Sequence, residues 1–286
     1  MKAAQERIRR DLQFLTSLQP YRNYRHPESL KRVCEYLQSA FSAMGLETEE
    51  QIWEVGGTSY KNIVASYNKD AKRRLIVGAH YDVCGDQPGA DDNASGIAGL
   101  LESARLIAGN KPKLSYQVDF VAYCLEEPPF FATAEMGSYI HARSLHDQKI
   151  DVIGMICYEM IGYFSNEAES QPFPTPAMAA RYPHVANFIV VVGIEKYRNF
   201  NDQVQQLMSA GSEIDVQVIS FPEAQGLAGL SDHRNYWSFN YKALMINDTA
   251  FIRNPNYHKI TDTLDTLDME KISHVVDSTY QAITGF

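Results

Sequence analysis

The sequence predicts an α/β protein: a three-layer α/β/α sandwich around a mixed, mostly parallel central sheet. Three observations predict it. Short β-rich runs recur along the chain, and helical stretches lie between several of them. The runs 75–79 and 152–157 are apolar on both alternating faces, as in strands covered by helices on each side. Hydrophobic residues make up 45% of the 286 and charged residues 21%, which supplies a large core and excludes disorder or a small disulfide scaffold.

The chain opens MKAAQERIRRDLQFL, charged and helical in texture. After Pro27, apolar side chains at Leu30, Val33, Cys34, Leu37, Phe41 and Met44 follow a three-four spacing, one buried stripe of a helix that Gly45 is placed to end. Strands are expected at 62–67, 75–79, 116–125, 152–157, 188–192, 216–220 and 243–246. Helices are expected at 95–107, 138–146 and 203–209, with a last one over 269–283. The stretch 163–182, rich in Ser, Pro, Ala and Glu, has no clear period and reads as a functional surface loop. No linker divides the chain, so residues 1–286 are expected to form one domain, with 1–45 as helices packing on the sheet.

Charge and cysteine usage narrow the function. Thirty-five acids against 26 bases give a net charge of −9, and no basic stripe is visible, which argues against nucleic acid. Cys34, Cys84, Cys124 and Cys157 lack C-x-x-C spacing, so neither a zinc ribbon nor a dithiol motif is expected. No run approaches the ~18–20 apolar residues that span a bilayer, nor is there a signal-like start. A cytoplasmic protein with no membrane partner is the expectation, or an extracytoplasmic one if a leader precedes this sequence.

The candidate site comes from position. In open α/β sheets ligands collect beyond the carboxyl ends of the strands. His80 and Asp82 follow the 75–79 strand, Glu126 and Glu127 the 116–125 strand, and Glu159 the 152–157 strand. Pro128 and Pro129 end the ladder there, so both glutamates can turn into one cavity. Asp91 and Asp92 stand in a loop, 89–96, that opens a helix, where capping explains one acid better than two. Tyr257-His258 lies after the 243–246 strand. Each residue alone has a dull explanation: a single His near a strand end is usually just hydrogen-bonded. Together, two histidines and several carboxylates without cysteine suit a catalytic divalent cation such as zinc.

His80-Tyr81-Asp82, Gly89-Ala90-Asp91-Asp92-Asn93-Ala94-Ser95-Gly96, Glu126-Glu127, Glu159-Met160-Ile161-Gly162, Ser231-Asp232-His233 and Asn254-Pro255-Asn256-Tyr257-His258 together resemble the M28 family of zinc aminopeptidases. The motifs fall in the family's order from residue 80 to residue 263. The resemblance implies a zinc-dependent exopeptidase-like fold, two zinc ions and a peptide substrate with a free N-terminus. It implies His80 and Glu159 on one metal, Glu127 and His258 on the other, and Asp91 bridging them. It further implies Asp82 orienting His80, a cis Asp91-Asp92 peptide bond, and Glu126 as general base on a water shared by the metals. Tyr257 would donate to the developing oxyanion.

The chain departs from the family pattern in three places: Glu159 where aspartate is usual, a longer aromatic segment over 128–136 with Phe130 and Phe131, and Lys259 after the histidine. Ser231 is expected to be an N-cap, with Asp232 near the site or substrate. His141, His146 and His184 are expected at the surface, Arg253 and Asn254 within reach of substrate, and Cys84 without a role. Two alternatives share the scaffold: a single-zinc glutaminyl cyclase, which the Asp91-Asp92-Asn93 run disfavours, and an inactive peptide-binding module, which the intact acid and ligand positions disfavour.

Overall fold

A computed structural model describes residues 1–286. The elements run α1 (Gln5–Ser17), α2 (Pro27–Ala43), β1 (Glu47–Val55), β2 (Thr58–Tyr67), β3 (Arg73–His80), α3 (Gly96–Asn110), β4 (Gln117–Tyr123), α4 (Gly137–Asp147) and β5 (Asp151–Glu159). They continue with a short α5 (Pro176–Ala179), β6 (Phe188–Ile194), α6 (Arg198–Ser209), β7 (Asp215–Phe221), α7 (His233–Trp237), β8 (Ala243–Asn247) and α8 (Met269–Thr284). The eight strands form one mixed sheet in the order β1-β2-β4-β3-β5-β8-β6-β7.

Every expected strand is present. The unexpected one is β1, an acidic edge strand with no buried residue that pairs antiparallel with β2. Its sequence, ETEEQIWEV, lacks the apolar content that marked the others, because an edge strand with a solvated face needs little of it. The expected helix 203–209 starts five residues earlier, at Arg198. Gly45, at φ 75, follows α2 in the left-handed conformation that a β-carbon would penalise.

Alternation along the central strands separates two cores. Leu75, Val77, Ala79, Phe120, Ile156 and Tyr158 face the larger core, built with α1, α2, α3, α6 and α8. Ile76, Val121, Tyr123, Met155 and Cys157 face the opposite side, against α4 and α7. The sheet is thus covered on both faces, as the doubly apolar runs predicted. His141 belongs to this second core and is 4% exposed, contrary to the surface expectation. It lies on the inner face of α4, with Nδ1 2.6 Å from the Tyr236 hydroxyl. Burial pulls its pKa down to about 4, so it is neutral at pH 7.

Four adjacent strands, β4, β3, β5 and β8, run parallel, so their carboxyl ends share one edge. A buried arginine from the α1–α2 connection holds that edge. Arg22 is fully buried and donates from Nε to Tyr81 O at 2.9 Å, from Nη1 to Leu15 O at 3.1 Å and to Pro88 O, and from Nη2 to Gly89 O at 2.6 Å. Its own carbonyl accepts Val83 N at 3.0 Å. Burial lowers its pKa to about 10, with Asp262 and Asp92 opposing, so it remains a cation. The planar fork serves carbonyls in three directions, which an ammonium cannot reproduce. Arg22→Met, which strands four carbonyls, is expected to lower unfolding stability by at least about 3 kcal/mol in urea titrations. Arg22→Lys is expected to recover only part of that loss.

Candidate metal centre

Four loops at the shared edge deliver the polar residues. His80 ends β3, and its Nε2 lies 3.3 Å from Glu159 Oε2 at the end of β5. The same nitrogen is 3.5 Å from Asp92 Oδ1 and 3.8 Å from Glu126 Oε2. Across the cluster, His258 Nε2 lies 3.1 Å from Asp92 Oδ2 and 3.4 Å from Glu127 Oε2. His80, Asp92 and Glu127 bring ligating atoms within 4.8 Å of one another. One carboxylate, that of Asp92, therefore faces both histidines with its two oxygens.

This corrects the expectation for Asp91. Its Oδ1 accepts Gly162 N at 2.9 Å and its Oδ2 accepts Asn254 Nδ2 at 2.7 Å, so the side chain is turned away from His80 and His258. The physical cause is how the loop is held. Asp262 accepts Asp91 N at 2.9 Å and Asp92 N at 3.1 Å, and Gly89 enters the turn at φ 57. A β-carbon at Gly89 would collide with the Asp92 carbonyl and with Val83. The cis peptide bond likewise falls at Asp92–Asn93, one residue later than expected.

Glu126 and Glu127 reach the same cavity because Leu125 takes φ 62 and the two amides are gripped together. Asp82 Oδ1 accepts Glu126 N and Oδ2 accepts Glu127 N, each at 3.1 Å. Asp82 was expected to receive the second ring N–H of His80 on its carboxylate. Instead His80 Nδ1 faces the Asp82 backbone carbonyl at 3.2 Å, with the carboxylate farther, at 3.7 Å. Ser231, expected as an N-cap, donates its hydroxyl to Glu159 Oε2 at 2.6 Å. Arg253 and Asn254 are both occupied: Asn254 with Asp91, and Arg253 with Gln171 Oε1 at 2.8 Å and Phe188 O at 3.1 Å. Nothing in the sequence marked Ser231, Asp262 or Asn254 as supports, because their partners are distant in the chain.

Tyr257 stacks on His258 with ring centroids 3.7 Å apart. Burial and the surrounding acids, Asp92 foremost, push its hydroxyl far above the ordinary tyrosine range, so it keeps its proton and can donate a hydrogen bond at neutral pH. Phe130 packs edge-on against Tyr24 at 5.3 Å, as core, while Phe131 lies under the Arg234 guanidinium. His146 and His184 are exposed, as expected.

The electrostatics describe a buried excess of negative charge. Burial raises Glu126 well above the usual carboxylate range, with His80 opposing and Glu127 and Glu159 adding to the rise. Glu127 is pushed to about 7 by burial and by Asp92, and Glu159 is raised by burial. Burial would raise Asp92 as well, but its hydrogen bonds to His258 and His80 hold it low. Burial would lower His258, yet Asp92, Cys84 and Glu127 push it up to about 12. No lysine or arginine joins these ion pairs. Glu127 Oε1 and both oxygens of Asp232 are buried without a hydrogen-bond partner. Imidazole nitrogens and carboxylates of this kind, with a spare buried oxygen, fit a divalent cation.

An α/β sheet that gathers buried nitrogen and oxygen donors at the carboxyl edge of its parallel strands has the architecture of a metal-dependent hydrolase. Residues 62–283 match the model of peptidase family M28, and the chain belongs to that metallopeptidase family. It is 41% identical over 283 residues to the uncharacterized protein YfbL of Escherichia coli, covering 96% of this chain and 86% of that protein. The LapA aminopeptidase of Legionella pneumophila superposes with a TM-score of 0.76 at 23% identity, over 99% of this chain and 70% of LapA. A glutaminyl cyclase of Bacteroides thetaiotaomicron superposes with a TM-score of 0.76 at 19% identity, over 100% of this chain and 99% of the cyclase. At such identities the two structures share the fold.

The geometry separates the neighbouring aspartates experimentally. Asp92→Asn is expected to abolish tight zinc binding in calorimetry, whereas Asp91→Asn retains it. Zinc at roughly 1,000 times its Kd is expected to stabilise the wild-type fold by about 4 kcal/mol, read as a rise in Tm that chelator reverses.

Proposed function

We propose that this chain is a zinc aminopeptidase that removes N-terminal residues from peptides with a free α-amino group. The observation that carries this reading is the Asp92 carboxylate facing two donor sets, His80 with Glu159 on one side and Glu127 with His258 on the other. Each set would hold one zinc ion, with Asp92 common to both. Bound there, zinc would polarise the scissile carbonyl and lower the pKa of the attacking water.

The chain's own groups supply the remaining chemistry. Glu126, 5% exposed and fixed by the hydrogen bond its backbone N–H donates to Asp82, holds its carboxyl beside His80 without being needed by either histidine as a close partner. It takes a proton from the attacking water and delivers it to the departing amine. Tyr257, kept protonated, donates toward the carbonyl oxygen as negative charge develops there. The surrounding acids recognise the cationic α-amino group.

The residue preference follows from a cavity next to Glu159 and Tyr257. It is lined by Phe173, Met178, Val190, Ile219, Leu227 and Phe251 among others, and encloses about 110 Å³. A cavity of about 150 Å³ lined by such side chains takes a benzene ring, so this smaller one suits a single aliphatic side chain. Glu159 is the only charged residue on its wall. N-terminal Leu or Met is therefore preferred, with kcat/KM roughly tenfold or more above that for Ala, and charged residues poorer still. Assays on a panel of aminoacyl amides check this order.

The glutaminyl cyclase reading keeps one observation in its favour, the equal likeness of fold to a cyclase. Product analysis on peptides beginning with Gln or Leu decides between them: free amino acids are expected, and pyroglutamyl product from Gln peptides alone would reverse the assignment. Glu126→Gln is expected to bind zinc like wild type while kcat falls about 10²–10⁴-fold. Wild-type turnover in that variant would remove Glu126 as the base.

A further inference from the structure

Cys84 stands out among the four cysteines. Cys34, Cys124 and Cys157 are buried in the cores, whereas Cys84 is partly exposed. Its Sγ, a Glu127 oxygen and a His258 ring nitrogen all lie within 4.8 Å of one another. The segment that carries it is pinned on both sides. Val83 N donates to Arg22 O at 3.0 Å, and Asn23 Nδ2 donates to Gly85 O at 2.8 Å and to Asp86 Oδ1 at 3.1 Å. The thiol is therefore held beside the cluster by backbone contacts of its own loop.

A second observation points to a ligand at the same place. Glu127 is 4% exposed, and while its Oε2 faces His258, its Oε1 has no hydrogen-bond partner. A buried carboxylate oxygen without a donor is costly unless a cation takes it. Thiolate, imidazole and carboxylate are together an ordinary zinc donor set, and the soft sulfur favours zinc over magnesium or calcium.

We propose that Cys84 binds, as thiolate, the metal held by Glu127 and His258. The inference rests on the two-metal reading above and goes beyond it. On binding, the S–H bond breaks, its proton leaves to solvent and the sulfur lone pair forms the bond to the metal. Asp92, whose Oδ2 is 3.1 Å from His258 Nε2, brings the protein donors on this side to four. Four protein ligands close a tetrahedral site, while three leave a position open for substrate or water. Cys84 thus makes the two positions unequal. The His258 side would then offer its ion four protein donors, and the His80 side, with Glu159 and Asp92, only three.

Cobalt(II) reports thiolate ligation independently of activity. Metal-free protein comprising residues 1–286, kept reduced, is titrated with cobalt and followed by absorption. The expected result is visible ligand-field bands together with a sulfur-to-cobalt charge-transfer band in the near ultraviolet. In Cys84→Ser the charge-transfer band is lost while the ligand-field bands remain. Ligand-field bands without charge transfer in wild type, or a charge-transfer band that survives Cys84→Ser, overturn the Cys84 assignment and leave the two-metal reading standing. No cobalt binding at all overturns both. Should Cys84→Ser fail to fold, wild-type protein still decides. Labelling of Cys84 by a thiol reagent, located by mass spectrometry, is expected to be lost when zinc is added, and unchanged labelling at zinc saturation overturns the proposal.

Discussion

Buried carboxylates accepting pairs of backbone amides are the interaction on which the site depends. Asp82 takes the amides of Glu126 and Glu127, and Asp262 those of Asp91 and Asp92. Asp248 accepts Tyr163 N and Ala250 N, each at 2.9 Å, and Asp91 accepts Gly162 N. Each grip joins loops that follow different strands or fixes a turn within one. Loops at a sheet edge leave amides unpaired once the ladder ends, and burial makes that costly. The acids meet the demand and, in doing so, aim the side chains on either side of each amide. Supporting carboxylates and carboxylates that face the histidines thus alternate along the chain: Asp82 supports Glu126 and Glu127, and Asp91 stands next to Asp92.

The electrostatic consequence is a pocket that is out of balance by construction. Each supporting carboxylate is stabilised by amide dipoles, yet each also adds field to the cluster it surrounds. Burial raises Asp262 to about 8 and Asp248 to about 6, a sign of how poorly the region tolerates further negative charge. Proton uptake by His80 and His258, which the facing carboxylates favour, would offset part of it. A divalent ion would offset more, displacing the ring protons of the imidazoles that hold it.

The architecture was largely legible in the sequence because it follows from local patterns. Apolar runs such as 75–79 mark central strands, and the stripe from Leu30 to Met44 marks a helix face. The acids and histidines of the site were legible because strand ends announce their own edge. What escaped the sequence had no local signature. The acidic β1 lacks an apolar face; Ser231 supports a carboxylate 72 residues away. Which of two adjacent aspartates faces the histidines depends on Asp262, 170 residues downstream of Asp92. His141 sits in a helix of mixed polarity, and its burial is decided by Tyr123 and Tyr236 on other elements. Motif order locates a cluster, but the hydrogen bonds that turn each carboxylate belong to the folded chain.

The segment between β5 and β6 carries one more consequence. Arg253 is 5% exposed and reaches from the loop after β8 to Gln171, Tyr163 O and Phe188 O, fastening the wall that carries Phe173 and Met178. A wall ordered only by substrate would charge its lost conformational freedom to every binding event. Here that entropy is surrendered once, when the chain folds. Under the proposed reading, discrimination among side chains would then rest on fit to a wall that the chain's own hydrogen bonds hold in place.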